Sequence, residues 1–322
     1  MRVLVTGASG FIGARLVQEL ARRPGYEVRA ALRHAGAASL PEGVQACAVG
    51  ELSGATDWRE ALAGVDCVVH LAGRAHVLKE SGHDPLQAFR TVNTAATLGL
   101  AEQAMHAGVR RLVFVSSIGV NGARTAGMPF DENARCQPAA DYAVSKFEAE
   151  TGLQRMLAGQ AMQWVIVRPP LVYAAHAPGN FGRLLRWVRR GVPLPLASVR
   201  NRRSMVALEN LVDFLIAAAS HPGAANQVFL VADEAALSTP AIIRTLAAGM
   251  GRPARLFPFP PAGLRLGAAL VGKPAMCRQL CDDLVVDASK ARRLLGWQPA
   301  VDVREALQAA GRRYQGEASH SA

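Results

Sequence analysis

A short apolar run, Arg2 to Thr6, leads directly into TGASGFIG at 6–13 and then into a helical pattern, so three glycines fall where a strand turns into a helix. No other part of the chain constrains the fold as strongly. Gly7 permits a tight turn, Gly10 lets backbone N–H groups approach a ligand without a Cβ in the way, and Gly13 allows close helix-to-strand packing. The helix N-terminus adds partial positive charge, and the junction suits a pyrophosphate. Further strand-like runs at 26–32, 44–48, 66–71, 111–116 and 162–168 alternate with helical stretches. This is the pattern of an α/β fold with a doubly wound parallel Rossmann sheet. With 322 residues, 50% of them hydrophobic, the chain has room for a dinucleotide-binding part at 1–170 and a smaller α/β substrate-binding part at 171–322. The second part is richer in Pro, Gly and Arg, with helical stretches near 180–190, 207–219, 239–250 and 260–271. Val165 to Val172 and Asn226 to Val231 read as strands returning to the main sheet, which argues against a linker-joined domain. The sequence shows no internal repeat, low-complexity tract or heptad seam.

Tyr142 and Lys146 stand four residues apart in DYAVSKFEAE, the start of a helix, so both side chains lie on one face and reach one ligand. A tyrosine ionises near 10 and is a poor acid or base at neutral pH. Lowering it by about three units takes roughly 4 kcal/mol, the effect of a unit positive charge about 4 Å away at an effective dielectric near 20. Lys146 is expected to supply that charge.

Seven segments run in order along the chain: TGASGFIG at 6–13, HLAG at 70–73, VNTAAT at 92–97, VFVSSIGVNG at 113–122, the Tyr142/Lys146 pair, VRPPLVY at 167–173 and DASKARRLLGW at 287–297. Together they resemble the extended short-chain dehydrogenase/reductases, in particular the nucleotide-sugar 4-epimerases and 4-ketoreductases of the bacterial O-antigen type. The resemblance implies a catalytic set of Ser117, Tyr142, Lys146 and Asn93, with Asn93, inside the helical stretch Pro85 to Gly108, ordering the site. It implies a dinucleotide held by Gly7, Gly10, Phe11, Ile12, Gly13, Arg33, Glu51, Leu52, Leu71, Ala72, Gly73, Ser116, Tyr142, Lys146 and Pro169. A nucleotide-sugar substrate would meet Ser117, Asn180, Arg203 and Arg278. The resemblance also implies a homodimer built through the Pro85 and Tyr142 helices.

A carbonyl that receives hydride gathers negative charge on oxygen and needs a proton donor and a second hydrogen bond already in place. Tyr142 would be the acid and Ser117 the second donor, while Lys146 would hold the nicotinamide ribose. At the end of the second strand an acidic residue would bind the 2′-hydroxyl of NAD, and an Arg the 2′-phosphate of NADP. The chain reads YEVRAALRHAG there, with Leu32 where NAD-using epimerases of the family carry Asp, and Arg33 next. NADP is therefore the expected cofactor and NAD the alternative, with Glu51 or Asp57 then contacting adenosine. A reductase consumes NADPH, whereas an epimerase regenerates a cofactor it keeps. The first reading is thus NADP(H)-dependent reduction of the 4-keto group of a nucleotide-linked, UDP-type deoxy or N-acetyl sugar in surface polysaccharide biosynthesis. The alternative is an NAD-dependent nucleotide-sugar 4-epimerase using the same residues. Reduction of a non-nucleotide ketone and a non-catalytic nucleotide sensor complete the readings, though sensors usually lose the Tyr or the Lys.

The formal charge of +11 comes mostly from arginine, since the lysines are Lys79, Lys146, Lys273 and Lys290 alone. Its densest cluster, Arg183, Arg186, Arg189, Arg190, Arg200, Arg202 and Arg203, is interleaved with few aromatics, so a nucleic-acid partner is not expected. Guanidinium groups pair well with phosphate; Arg203 is the best placed by family position, and Arg186, Arg189 and Arg190 read as a solvated face. The five cysteines form no CxxC pair, so neither a disulfide framework nor a metal site is expected. The chain opens on its first strand without room for a signal peptide, and a cytoplasmic location is expected. Residues 261–272, PAGLRLGAALVG, contain Arg265 and are too short for a transmembrane span; they read as a packed helix, with peripheral membrane contact as the alternative. Loops near His76, 122–136 and 174–179 are expected to set sugar stereochemistry.

Overall fold

The computed structural model describes residues 1–34, 36, 38–74 and 84–319. His76 and its loop lie outside the described residues. Among the described residues the strands are β1 (Arg2–Thr6), β2 (Glu27–Leu32), β3 (Gln45–Ala48), β4 (Cys67–His70), β5 (Arg111–Val115), β6 (Gln163–Arg168), β7 (Leu171–Tyr173), β8 (Met205–Ala207) and β9 (Gln227–Leu230). Seven of them form one parallel sheet in the order β3-β2-β1-β4-β5-β6-β9, and β7 pairs with β8 separately. The strand order reverses between β1 and β4, where the last residues, Thr6 and His70, are register partners. A crevice at that switch point is where an open parallel sheet takes its ligand.

The helices are α1 (Phe11–Ala21), α2 (Arg59–Leu62), α3 (Pro85–Phe89), α4 (Ala96–His106), α5 (Asp141–Met156), α6 (Gly179–Arg189), α7 (Leu208–Ser220), α8 (Thr239–Gly249), α9 (Pro261–Leu270), α10 (Pro274–Cys281), α11 (Ser289–Leu295) and α12 (Val303–Ser319). Strand alternation sends Val3 and Val5 to one face of the sheet, where Leu16 and Leu20 of α1 and Phe214 of α7 cover them. Leu4 points the other way, into a core with Leu100 of α4, Phe114 of β5 and Leu153 of α5. Apolar side chains on both faces are what an all-parallel sheet requires. A third core, with Phe181, Leu185, Leu246 and Leu307, joins α6, α8 and α12.

Three expectations need correction. The run 165–172 is not one strand: Pro169 and Pro170 cannot donate to a ladder, so β6 stops at Arg168 and β7 leaves the main sheet to pair with β8. The helix expected from Pro85 to Gly108 is interrupted between α3 and α4 by a π-helical turn, Arg90–Ala95, which contains Asn93. The apolar stretch 261–272 does form a helix, α9, but none of its residues is buried. No helix of the described residues is long and apolar enough to cross a membrane.

A buried ion pair ties the end of β6 to α5. Arg168 donates through Nε to both Glu150 oxygens, at 3.0 and 3.1 Å, and through Nη1 to Asn121 Oδ1 at 3.0 Å. Their side chains are 6% and 2% exposed. Replacing Glu150 by Ala strands the guanidinium in the core, and a loss of about 3–5 kcal/mol is expected, read from the midpoint of urea unfolding. A loss below about 1 kcal/mol would mean that the pair is hydrated and holds little together.

Candidate active site

The glycine turn fits a dinucleotide pyrophosphate on backbone grounds. Gly7 has φ +66°, and a Cβ on it would lie 2.8 Å from the Ala72 amide nitrogen, so the turns after β1 and β4 touch backbone to backbone. A Cβ on Gly13 would stand 2.1 Å from the Gly7 carbonyl oxygen. Gly13 therefore lets α1 seat on the turn itself rather than on the strand. No side chain caps α1 at Gly10, and its first turn contains no acidic residue, leaving its N-terminal field open to an anion. At the end of β5, Ser116 is 4% exposed, and its buried hydroxyl is without a hydrogen-bond partner among the described residues. An orphaned hydroxyl at the end of one strand of the sheet and an uncapped helix start after another are groups that a bound dinucleotide would satisfy.

Tyr142 and Lys146 occupy the first turns of α5. Lys146 Nζ donates to the Val115 carbonyl at 3.1 Å and lies 4.6 Å from the Phe114 ring centroid. A Cβ on Gly73 would be 3.2 Å from that Nζ and 3.0 Å from Asn93 Oδ1, so the loop after β4, the π turn and α5 converge there. Ser117 Oγ accepts from Gly119 N–H at 3.1 Å. A Cβ on Gly119 would meet Ser117 Oγ at 3.4 Å and the Ala143 Cβ at 3.3 Å, which puts the hydroxyl against the first turn of α5. The expected electrostatics do not hold in this arrangement. Burial lowers Lys146 to about 8, opposed by the Glu150 carboxylate. Burial raises Tyr142 to about 12. The ammonium is turned toward the strand carbonyl, and desolvation governs both groups.

Asn93 is fully buried and acts on backbone. Its Oδ1 accepts from Arg74 N–H at 2.8 Å, and its Nδ2 donates to the Arg74 carbonyl at 3.0 Å and to Ser145 Oγ at 3.0 Å. Ser145 Oγ in turn donates to the Tyr142 carbonyl at 2.8 Å. Asn93 is thus a positioning residue that fixes the loop after β4 against the helix carrying Tyr142. Thr94 Oγ1 donates to the Ser145 carbonyl at 2.9 Å, and the extra residue of the π turn is what brings Asn93 and Thr94 to α5 together.

Sequence reasoning missed a buried relay behind these groups. Thr97 Oγ1 donates to the Asn93 carbonyl at 2.7 Å, so its oxygen accepts from His70 Nε2–H at 2.9 Å. His70 Nδ1 is left as an acceptor for the Thr6 hydroxyl at 2.7 Å, and Thr6 Oγ1 accepts from Leu71 and Ala72 N–H at 3.2 and 3.1 Å. Every partner is satisfied with a neutral imidazole. Burial and the Lys146 charge push His70 down to about 3. The signal was a histidine ending the apolar run CVVH, inside a motif valued only for its backbone.

The substrate candidates gather around α10. Asn180, opening α6, donates to Gln279 of α10 at 2.5 Å, and the exposed Arg278 is its neighbour. Arg203 Nη1 donates to the Asp282 carbonyl, just past α10, at 3.3 Å. At the end of β2, where adenosine is expected, Leu32 is 2% exposed. Arg33 Nη1 and Glu51 Oε1 pair at 3.4 Å, with both side chains largely exposed. Leu52 packs partly into the core, and Pro169 is buried with its carbonyl accepting from Ile118 N–H at 3.0 Å. Phe11 meets the His176 ring edge-on at 5.1 Å, closing loop 174–179 over the start of α1. In loop 122–136, Phe130 N–H donates to the Val285 carbonyl at 2.8 Å.

A parallel sheet with a glycine turn at its switch point, beside a helix presenting Tyr and Lys, defines a nicotinamide-dependent enzyme of the short-chain dehydrogenase/reductase class. The chain belongs to the NAD dependent epimerase/dehydratase family, which matches residues 3–232. It is 40% identical over 305 residues to a UDP-glucose 4-epimerase of Vibrio cholerae, covering 94% of this chain and 92% of that one. It is 26% identical over 262 residues to the N-acetyl-alpha-D-glucosaminyl-diphospho-ditrans,octacis-undecaprenol 4-epimerase of Escherichia coli O157:H7, covering 80% and 76%. Its fold resembles that of UDP-glucuronic acid 4-epimerase from Bacillus cereus in complex with NAD, with a TM-score of 0.79, 22% identity and 99% of each chain covered.

His70 gives the site a pH signature in stability. Its pKa is depressed in the folded protein to about 3, against about 6.5 unfolded. Below pH 6.5 the unfolded chain takes up a proton that the folded chain refuses, so this contribution is full above 6.5 and is lost as pH falls. The expected loss is about 1.4 kcal/mol per pH unit. Urea unfolding between pH 7 and 5 should show that slope in the wild type and a flatter one in His70→Gln; equal slopes would mean that His70 charges in place.

Proposed function

We propose that the protein is a nucleotide-sugar 4-epimerase that keeps NAD bound through the catalytic cycle. The observation that carries this reading is the 40% identity, along 94% of the chain, to a UDP-glucose 4-epimerase. The more distant Escherichia coli relative is also named a 4-epimerase, and its named substrate also carries a diphosphate. When bound, a nicotinamide dinucleotide accepts hydride from the sugar C4 and returns it. Tyr142 takes the C4 hydroxyl proton and later gives it back, and Ser117 holds the same oxygen by a hydrogen bond. Lys146 fixes the ribose, and as a cation beside the phenol it would favour phenolate once turned from the Val115 carbonyl. Asn93 keeps the loop after β4 and the Tyr142 backbone in register. Arg203, Arg278 and Asn180 bind the diphosphate part of the substrate.

The ion pair at the adenosine end supports NAD. Arg33 is engaged by Glu51, whose carboxylate can accept ribose hydroxyls and would repel a 2′-phosphate. The second reading, an NADPH-dependent 4-ketoreductase of a nucleotide-linked deoxy or N-acetyl sugar, keeps one observation in its favour: an apolar Leu32 followed by Arg33 where an acidic side chain would select NAD.

Replacing Tyr142 by Phe should lower kcat by about 10²–10⁴-fold while leaving cofactor content unchanged. Interconversion of UDP-glucose and UDP-galactose, or of their N-acetylated counterparts, is followed by NMR, and unchanged turnover would remove Tyr142 from the chemistry. Arg33→Ala discriminates the two cofactors. The variant should keep its bound NAD, and a selective loss of NADPH affinity would favour the ketoreductase.

A further inference from the structure

Among the described residues, five of the nine large exposed hydrophobic side chains fall between residues 257 and 271: Phe257, Phe259, Leu266, Leu270 and Val271, at 43, 40, 65, 80 and 67% exposure. Such crowding is not the ordinary scatter of surface apolar residues. Leu266 and Leu270 lie one turn apart on α9 and share a face. Phe259 is held to the same helix, because a Cβ on Gly263 would meet its ring at 2.8 Å. The inner side of α9 is fastened by Leu264, which packs on the third core, and by the Arg265 to Asp282 ion pair at 3.0 Å. The outward leucines therefore sit on an anchored helix rather than a fraying one.

Charge identifies what covers this face. From 252 to 283 the chain carries Arg252, Arg255, Arg265, Lys273 and Arg278, all exposed, against Asp282 and Asp283, of which Asp282 is taken up by Arg265, so the balance around the face is positive. The neighbouring α6 extends the basic field. Arg183 reaches Met276 of α10 at 3.8 Å, the Arg189 carbonyl accepts from Arg252 at 2.6 Å, and Arg186 and Arg190 are exposed. A second copy meeting this face would bring two cationic rims together, which opposes association. A surface that is negative at its rim and apolar just beneath satisfies both features. Ten residues of helix span only about 15 Å, too short to cross a bilayer but suited to lying in its interface.

We propose that the face formed by Phe257, Phe259, Leu266, Leu270 and Val271 docks on an anionic lipid bilayer, with Arg252, Arg255 and Lys273 at the headgroups. The docking does not depend on which sugar the enzyme takes. The test is sedimentation of the full-length protein with vesicles of phosphatidylcholine alone and of phosphatidylcholine with phosphatidylglycerol. Binding to the anionic vesicles is expected, weakened by salt as lipid charge is screened. Leu266→Gln combined with Leu270→Gln should reduce it at least about tenfold without moving the unfolding midpoint, because both side chains are exposed. Absence of wild-type binding to anionic vesicles would overturn the proposal, as would undiminished binding by the double variant. A concentration-dependent dimer dissolved by the double variant, with no vesicle binding, would assign the face to a second copy instead.

Discussion

Two backbone turns meet at the switch point of the sheet, and the rest of the site depends on how closely they meet. A Cβ on Gly7 would stand 2.8 Å from the Ala72 amide, so no side chain can stand between the turn after β1 and the loop after β4. The Thr6 hydroxyl takes the Leu71 and Ala72 N–H groups and passes the contact through His70 and Thr97 to the Asn93 carbonyl. Asn93 then grips Arg74 and Ser145, and Ser145 grips the Tyr142 backbone. One continuous path of buried hydrogen bonds thus runs from the glycine turn to the helix of Tyr142 and Lys146. Buried polar chains of this kind are costly when broken, which makes the geometry specific.

The electrostatics of α5 follow from the same burial. Desolvation moves the Tyr142 phenol up and the Lys146 ammonium down, so both lean toward their neutral forms. Glu150, one turn beyond Lys146, opposes the second shift and is itself held by Arg168 from β6. Tyr142, Lys146 and Glu150 follow one another at four-residue spacing, so a single helix face carries the phenol, the cation and the anchor that fixes the helix on the sheet. The Val115 carbonyl that holds Lys146 precedes Ser116 and Ser117, so strand and helix present their polar groups to one crevice.

Much of this was legible because short-range physics dictates it. The main-sheet strands fall within a residue of their expected limits, since apolar runs ending in glycine turns leave a parallel sheet few alternatives. Tyr142 and Lys146 share a face as four-residue spacing requires. Elsewhere tertiary contacts decided. Two prolines cut β7 off from β6 and sent it to pair with β8; a π turn, which no local propensity announces, reset the phase of the helix around Asn93. The direction of Lys146 depends on a carbonyl 31 residues away in sequence. α9 is as apolar as a core helix and yet lies outside, because the third core closes on α6, α8 and α12 and takes only Leu264 from it.

A single isotope experiment reaches the chemistry of the crevice directly. The purified protein is given UDP-glucose deuterated at C4, with no nicotinamide added, and the product is read by NMR and mass spectrometry. UDP-galactose with the deuterium still at C4 is the predicted result, because hydride leaves and returns to the same carbon within one bound complex. Loss of the label to water, or turnover only once free nicotinamide is supplied, would contradict a retained cofactor and a C4 epimerase.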